Sequence, residues 1–373
     1  MGILTFAWGT LVPFLVVLTV LVFVHEMGHY LLARWNGVRI ETFSVGFGPE
    51  LFGRYDRHGT RWRFSAIPIG GYVKMFGDAD ASSMPGEEVR TMTAEERAVS
   101  FHHKSLGARA AVIAAGPGAN FLFTIVVLAG MFATVGQPYT PPNIGEVKAD
   151  SAAEAAGVML GDTFVTIDGQ TVKRFEDVIR AVQLNTGTPM NVVIRRDGAE
   201  IPLTVTPRVT ETVDRFGNHQ KHGLLGVAGG GAIAYVQRDP ATATVEAVRE
   251  TWLMGTGILR AVGQMITGAR SSDELGGPIT ILKASGEVAQ GGILALLGFM
   301  AGLSVNLGLV NLFPIPVLDG GHLLFYAAEG LRGRPLGQRA QEFGFRVGLA
   351  IVLTLMVFAT WNDLAHLWPF TKV

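Results

Sequence analysis

Two histidines and a glutamate near the start of the chain are the residues whose types and spacing best fit chemistry. They form the sequence His25-Glu26-Met27-Gly28-His29, an H-E-x-x-H pattern. On a helix, His25 and His29 lie one turn apart on the same face, so their imidazoles can bind one metal ion while Glu26 stands beside it. The pattern therefore predicts a metal centre.

The setting of this pattern is apolar. Residues 11–24 are almost entirely Leu, Val and Phe, interrupted by Pro13 and Thr19. Ionisable side chains are costly in hydrocarbon, and a bound divalent cation offsets that cost. The alternatives are a chance match in a soluble protein or a structural histidine pair, and the apolar setting favours the metal centre over both.

Composition indicates a membrane protein. The chain has 373 residues, of which 49% are hydrophobic and only 16% charged, against about 25% charged in ordinary soluble domains. The net charge of −1 argues against a nucleic-acid partner, because phosphate binding needs a basic face. Cysteine is absent, so any metal must be held by His, Asp or Glu.

The apolar segments predict a polytopic α-helical membrane protein with about four transmembrane helices. Arginines and lysines flank residues 37–105, which we therefore place in the cytoplasm, with the segment between the second and third helices outside. The predicted transmembrane segments are 1–36, 106–136, 291–325 and part of 326–373, the last beginning with a cytoplasmic loop. Asn120, in the second, is expected to hydrogen-bond between helices rather than to act in catalysis.

Residues 37–105 begin with alternating strands and Gly/Pro turns, which predict a small cytoplasmic, membrane-associated β-sheet or hairpin before a polar loop. A strand edge near Gly70 and Gly71 could pair with an extended substrate by β-augmentation. A sheet that serves only packing is an equal alternative.

Residues 137–210 carry short strands, two helices and a D-G turn, which predict a compact α/β module outside the cytoplasm. The pattern resembles a PDZ domain, in which the strand from Ile144 to Val147 would be the peptide-binding edge. Residues 211–290 are predicted to be a linker with an amphipathic helix, which lies on the membrane surface or packs on the spans.

The third apolar segment ends in a second motif, Asn311-Leu312-Phe313-Pro314-Ile315-Pro316-Val317-Leu318-Asp319-Gly320-Gly321-His322. Pro314 and Pro316 break a regular helix, and such backbone is tolerated at membrane depth where it is buried in protein or lines a watery cavity. Asp319 is then well placed as a metal ligand. His322, three residues further on, is expected to support the site rather than to bind the metal.

Together with Gly116-Pro117-Gly118-Ala119-Asn120-Phe121 and Leu275-Gly276-Gly277-Pro278, these motifs resemble those of the site-2 protease family, in the order of the bacterial regulator-of-sigma-E protease (RseP) type. The resemblance implies that His25, His29 and Asp319 bind Zn²⁺ and that Glu26 activates water. It also implies substrate contacts, which we assign to Asn311, Pro314, Pro316, Gly70, Gly71, Ile144 and Val147.

The resemblance further implies regulated proteolysis of single-pass membrane proteins, such as anti-sigma factors or signal-peptide remnants, in the bacterial inner membrane. The chain departs from the tandem pattern of two PDZ domains, since one such module is found. Two alternatives remain: a catalytically silent scaffold that binds peptides through its PDZ-like module, and a zinc transporter. The intact Glu26 argues against the first, and the lack of an internal repeat against the second.

Overall fold

The computed structural model describes residues 7–79, 89, 91–184, 187–213, 219–230, 234–267 and 276–367. Leu275 and most of the polar loop predicted between the sheet and the second span lie outside these ranges.

The described helices are numbered in chain order. They are α1 (Val12–Trp35, preceded by a π-helical turn at Ala7–Leu11), α2 (Ala94–Val99), α3 (Leu106–Thr134), α4 (Ala152–Ala155), α5 (Phe175–Leu184), α6 (Pro240–Thr267), α7 (Pro278–Gln290), α8 (Ile293–Asn311), α9 (Asp319–Arg332) and α10 (Gln338–Leu367), with a 3₁₀ turn at Phe101–His103.

The described strands are numbered in the same way. They are β1 (Ile40–Tyr55), β2 (Arg61–Met75), β3 (Gln137–Tyr139), β4 (Ile144–Val147), β5 (Thr163–Ile167), β6 (Gln170–Thr171), β7 (Met190–Arg196), β8 (Ala199–Val205), β9 (Arg208–Val213), β10 (His219–Leu224), β11 (Val227–Gly229) and β12 (Ala234–Val236).

Four helices in the described part of the chain are long and apolar enough to cross a membrane. They cover Trp8–Trp35, Leu106–Thr134, Ile293–Asn311 and Arg339–Leu364. These helices confirm the prediction of a polytopic α-helical membrane protein. The chain forms two compact units: the first comprises residues 1–128, 246–258 and 273–373, and the second comprises residues 129–245 and 259–272.

Within the first unit, the membrane helices approach through small residues. A Cβ atom added at Gly28 of α1 would lie 2.1 Å from the carbonyl oxygen of Ala115 in α3, so only glycine permits this contact. Hydroxyl groups join α3 to α8: Thr124 donates to the carbonyl of Ala301, and Ser304 donates to the carbonyl of Asn120. Such small and hydroxylated residues are the usual means of packing helices in a bilayer.

The predicted sheet between the first two spans is the antiparallel hairpin β1–β2. Asp56 fixes its turn, because one carboxylate oxygen accepts from the backbone N–H groups of His58 and Thr60. The other oxygen accepts from the hydroxyl of Tyr30 in α1 and from the indole N–H of Trp62. The hairpin is therefore anchored on the helix that carries the H-E-x-x-H pattern.

The second unit contains a four-stranded antiparallel sheet in the order β6-β5-β7-β8. Two D-G turns close its hairpins: Asp168-Gly169 joins β5 to β6 and Asp197-Gly198 joins β7 to β8, all four residues with positive φ, as type I′ turns require. The apolar core includes Phe164, which is 1% exposed. The first and last strands of the unit, β3 and β12, pair with each other.

The strand from Ile144 to Val147, predicted to be a peptide-binding edge, pairs with another strand on one side and is hydrogen-bonded on the other side at Ile144. One side of β4 pairs with β11, and on the other side the backbone of Ile144 exchanges hydrogen bonds with Asp162 and Gly161. Ile144 itself is 2% exposed and belongs to the core. At Ile144, therefore, the backbone of this strand has a partner on each side.

An ion pair holds the helix that carries Asp319. Arg109 of α3 makes two hydrogen bonds to Glu329 of α9, of 2.5 and 3.2 Å, and its guanidinium lies 4.9 Å from the ring centroid of Tyr326. The Arg109 and Glu329 side chains are only 13% and 17% exposed. This pair is shielded, whereas the Arg61–Glu50 pair on the hairpin is 38% and 25% exposed.

We predict that Glu329→Gln lowers the unfolding temperature of the first unit, because it leaves the Arg109 guanidinium shielded from water without a counter-charge. Removing one partner of a buried pair costs roughly 3–5 kcal/mol, and the partial exposure here places the expected loss near the lower end. Glu50→Gln is the control and should change stability by less than about 1 kcal/mol. Thermal unfolding in detergent measures both, and equal shifts would contradict the prediction.

Candidate metal centre

Three ligand atoms converge between α1 and the start of α9. Nε2 of His25 lies 3.3 Å from Nε2 of His29, and Oδ2 of Asp319 lies 3.2 and 3.5 Å from these two atoms. Four ligands placed about 2.0 Å from a tetrahedral zinc ion are about 3.3 Å apart, so this triangle has the dimensions of one face of such a site. Within the described ranges, these residues form the one group of three or more His, Cys, Asp or Glu side chains close enough to share a metal.

The chemistry of these atoms also calls for a cation. Nδ1 of His29 donates to the carbonyl oxygen of Val112 at 2.9 Å, which leaves a lone pair on Nε2. Oδ2 of Asp319 is buried and has no hydrogen-bond partner. Three atoms that can each donate an electron pair thus converge on one point, and a divalent cation is a group that fits there. The three residues can therefore hold zinc, with a fourth position open.

A strained connection delivers Asp319 to this place. The chain leaves α8 at Asn311 and enters α9 at Asp319, and Val317 between them has φ of 115°, which is rare for a β-branched residue. Asp319 is followed by Gly320 and Gly321. A Cβ atom added at these two residues would lie 2.2 and 2.4 Å, respectively, from backbone oxygens of this connection. The backbone is therefore packed against itself directly behind the carboxylate.

Gly116 of α3 leaves room for the two imidazoles. A Cβ atom there would lie 2.3 Å from Nε2 of His29 and 2.9 Å from Cε1 of His25. Two residues further along the helix, Gly118 has open space around it. The first of these glycines is thus required by the site, whereas the second is not.

Glu26 lies beside the three ligands in a cavity of about 170 Å³. The walls come from α1, β2, α3, the connection before α9, and α9 itself. The lining residues are His25, Glu26, His29, Gly71, Tyr72, Val73, Met75, Ile113, Asn311, Val317, Leu318, Asp319 and His322. The cavity holds a carboxylate next to a cation site, with the backbone of one β-strand along its wall.

The structure brings some of the predicted substrate-contact residues to this cavity and leaves others away from it. Gly71 and Asn311 line the cavity, whereas Gly70, Pro314 and Pro316 are not among its lining residues. Pro314 is exposed, and Pro316 forms a bridge with Leu318 inside the connection. Ile144 and Val147 belong to the second unit.

Several residues at the site were not assigned there from sequence. Tyr72 and Val73 line the cavity because β2 passes it, and hydrophobic alternation alone does not indicate which stretch of a strand faces a distant helix. His322 was expected near the site, and it lines the cavity, one helical turn after Asp319. His102, in contrast, is hydrogen-bonded to Asp78 at 2.9 Å and is not among the lining residues.

Asn120 of α3 faces the first ligand. Its Nδ2 lies 3.1 Å from Nδ1 of His25, and its Oδ1 is buried without a hydrogen-bond partner. The side chain was expected to bond between helices. It does so, but its partner is a residue of the candidate metal centre.

Comparison with known proteins agrees with this geometry. Residues 13–355 match the model of Peptidase family M50, the site-2 protease family. A protein of Agrobacterium fabrum named "putative zinc metalloprotease" is 49% identical over 366 residues, covering 97% of each chain. A protein of Rhizobium meliloti with the same description is 49% identical over 363 residues, covering 96% of this chain and 97% of its own.

A third relative is the metalloprotease MmpA of Caulobacter vibrioides, which is 38% identical over 378 residues, covering 95% of each chain. The family model spans most of the chain, and the relatives match it nearly from end to end. The chain therefore belongs to peptidase family M50 and is a membrane-embedded zinc metalloprotease.

Proposed function

We propose that this zinc metalloprotease cleaves peptide bonds within the membrane at the centre formed by His25, His29 and Asp319, with Glu26 as the general base. The observation that supports this most directly is the triangle of three ligand atoms, 3.2 to 3.5 Å apart, in a cavity that also contains Glu26. Zinc bound at such a site supplies Lewis acidity and activates water.

In this mechanism the Glu26 carboxylate takes a proton from the attacking water and passes it to the nitrogen of the leaving amine. Its neighbour Asn311, whose side chain can donate hydrogen bonds, lines the same cavity and contacts the substrate or the developing oxyanion.

A transmembrane substrate must be extended before it reaches the metal, because the carbonyls of a helix are hydrogen-bonded and shielded. We propose that Gly70 and Gly71 present the edge of β2 to the extended segment, which pairs with it by β-augmentation. At Gly71 this strand passes close to the proposed base, since an added Cβ there would lie 3.3 Å from Cγ of Glu26. Pro314 and Pro316 act indirectly, by shaping the connection that carries Asp319.

We also propose a location, an orientation and a substrate class for the enzyme. The enzyme lies in the bacterial inner membrane with the β1–β2 hairpin toward the cytoplasm and the second unit, a single PDZ-like domain, outside. Its substrates are single-pass membrane proteins such as anti-sigma factors or signal-peptide remnants, and the PDZ-like domain filters them. The abundance of Arg in the loops 34–109 and 332–346 supports this orientation.

We predict that Glu26→Gln abolishes cleavage of a tagged single-pass substrate while zinc remains bound, because the amide cannot take a proton. The expected loss is about 10²–10⁴-fold. Asp319→Ala should lose both cleavage and zinc. Cleavage after co-expression, and the zinc content of the purified proteins, measure these effects.

The control for these variants is Glu41→Gln, since Glu41 pairs with Lys74 and is not among the cavity-lining residues. It should behave as wild type. If Glu26→Gln cleaves as well as wild type, the proposed base is wrong. If neither Glu26→Gln nor Asp319→Ala changes any measured property, the proposed centre is wrong.

We further predict that Gly116→Ala reduces zinc affinity by at least about tenfold, because the new methyl group would displace both imidazoles. Gly118→Ala is the matched control, since it makes the same change in the same helix where the space is open. Both changes favour the helix by about 1 kcal/mol, so that effect cancels in the comparison. Competition with a chelator measures the affinities, and equal values for the two variants would contradict the prediction.

A further inference from the structure

Asn120 is fully buried, yet only one end of its amide has a partner. Nδ2 lies 3.1 Å from Nδ1 of His25, and Oδ1 has no hydrogen-bond donor in the described part of the chain. Buried polar atoms are nearly always hydrogen-bonded, so an unpartnered carbonyl beside an imidazole indicates a state of the site in which that oxygen is used.

Metal binding by His25 determines whether the oxygen or the nitrogen of the Asn120 amide must face its imidazole. If His25 binds the metal through Nε2, which faces His29 and Asp319, its proton resides on Nδ1. That N–H group needs an acceptor, and the amide nitrogen of Asn120 cannot accept. A rotation of the amide by 180° about its Cβ–Cγ bond exchanges Oδ1 and Nδ2 without changing the shape of the side chain.

We propose that Asn120 is the positioning residue for His25: its Oδ1 accepts the Nδ1–H group and holds the imidazole in the tautomer and orientation that bind the metal. This inference rests on the metal centre proposed above. For His29, the backbone carbonyl oxygen of Val112 accepts the hydrogen bond from Nδ1 at 2.9 Å. Both imidazoles are then oriented from α3, one by a backbone carbonyl and one by a side chain.

The surroundings of Asn120 fix its place. Its backbone carbonyl oxygen accepts from the hydroxyl of Ser304 of α8 at 2.9 Å. An added Cβ at Gly308 of α8 would lie 3.2 Å from the Cβ of Asn120, so the two helices are in close contact there. A side chain held in this way is preorganised to orient a metal ligand.

The same contacts separate this role from simple helix packing. The bonds that join α3 to α8 involve the backbone of Asn120, whereas its amide is directed at His25 of α1. Replacing the side chain therefore removes the contact with the imidazole and leaves the hydrogen bonds to α8 in place. A packing role and a positioning role predict different results for such a change.

The test compares three substitutions by zinc affinity, measured by chelator competition on the purified full-length protein. Asn120→Leu has a similar size and no acceptor, and should weaken zinc binding by about 10–100-fold, as loss of a hydrogen bond to a metal-bound histidine does. Asn120→Asp should bind zinc at least as tightly as wild type, because a carboxylate accepts from Nδ1–H. Asn120→Ala repeats the loss of the acceptor should the leucine variant not fold.

Thr124→Val is the matched control, because it removes a buried hydroxyl that bonds Asn120 and Ala301 without touching the imidazole. It should keep wild-type zinc affinity. The absorption spectrum of the cobalt-substituted protein is a second readout, since the d–d bands report ligand geometry. They should change in Asn120→Leu or Asn120→Ala and not in Thr124→Val.

The positioning role is overturned if the variants without an acceptor bind zinc as tightly as wild type, or if Thr124→Val loses as much affinity as they do. It is also overturned if Asn120→Asp binds zinc as weakly as Asn120→Leu. Failure of the metal centre itself would be distinguishable, because His25→Ala would then bind zinc as wild type does.

Discussion

The structure depends on the balance of charge at one buried point. His25, His29 and Asp319 meet among apolar helices, where an uncompensated ionisable group is expensive. A carboxylate oxygen without a hydrogen-bond partner and an imidazole lone pair face the same position, so a divalent cation stabilises an arrangement that would otherwise cost free energy. Metal binding and the packing of α1 against α9 are therefore parts of one equilibrium.

The helices bring the three ligands together through close contacts between backbones, which glycine residues permit. Gly28 lets α1 contact the backbone of α3, and Gly116 leaves the volume that the imidazoles occupy. Gly320 lets α9 begin against the connection that precedes it. At each of these positions a methyl group would push apart elements that carry or support the ligands. This explains why small residues surround the candidate metal centre.

Much of this site could be predicted from the sequence, because its signals are local. The H-E-x-x-H spacing places two ligands on one helical face, and an aspartate after two prolines indicates a third at a break in a helix. The orientation of His25 by Asn120 could not be predicted, since it depends on a contact between residues 95 positions apart. The strained φ of Val317 is also set by tertiary packing, because nothing in its local sequence requires it.

The strand from Ile144 to Val147 illustrates the same limit. Its alternation correctly indicates a strand, but whether its edge is open depends on β11, which lies about 80 residues later in the chain. A hydrophobic pattern can identify a strand. The strand with which it pairs is often distant in the sequence, so the pairing cannot be inferred from the local pattern.

The pairing of β3 with β12 has a consequence for how this chain can change over evolution. Because β3 and β12 are adjacent antiparallel strands, the segment between them begins and ends at neighbouring points. The length of a segment that is closed by a strand pair in this way is not constrained by the elements that flank it. Residues between these two strands could be inserted or exchanged while β3 and β12 remain paired, so that this segment and the residues of the candidate metal centre can change independently.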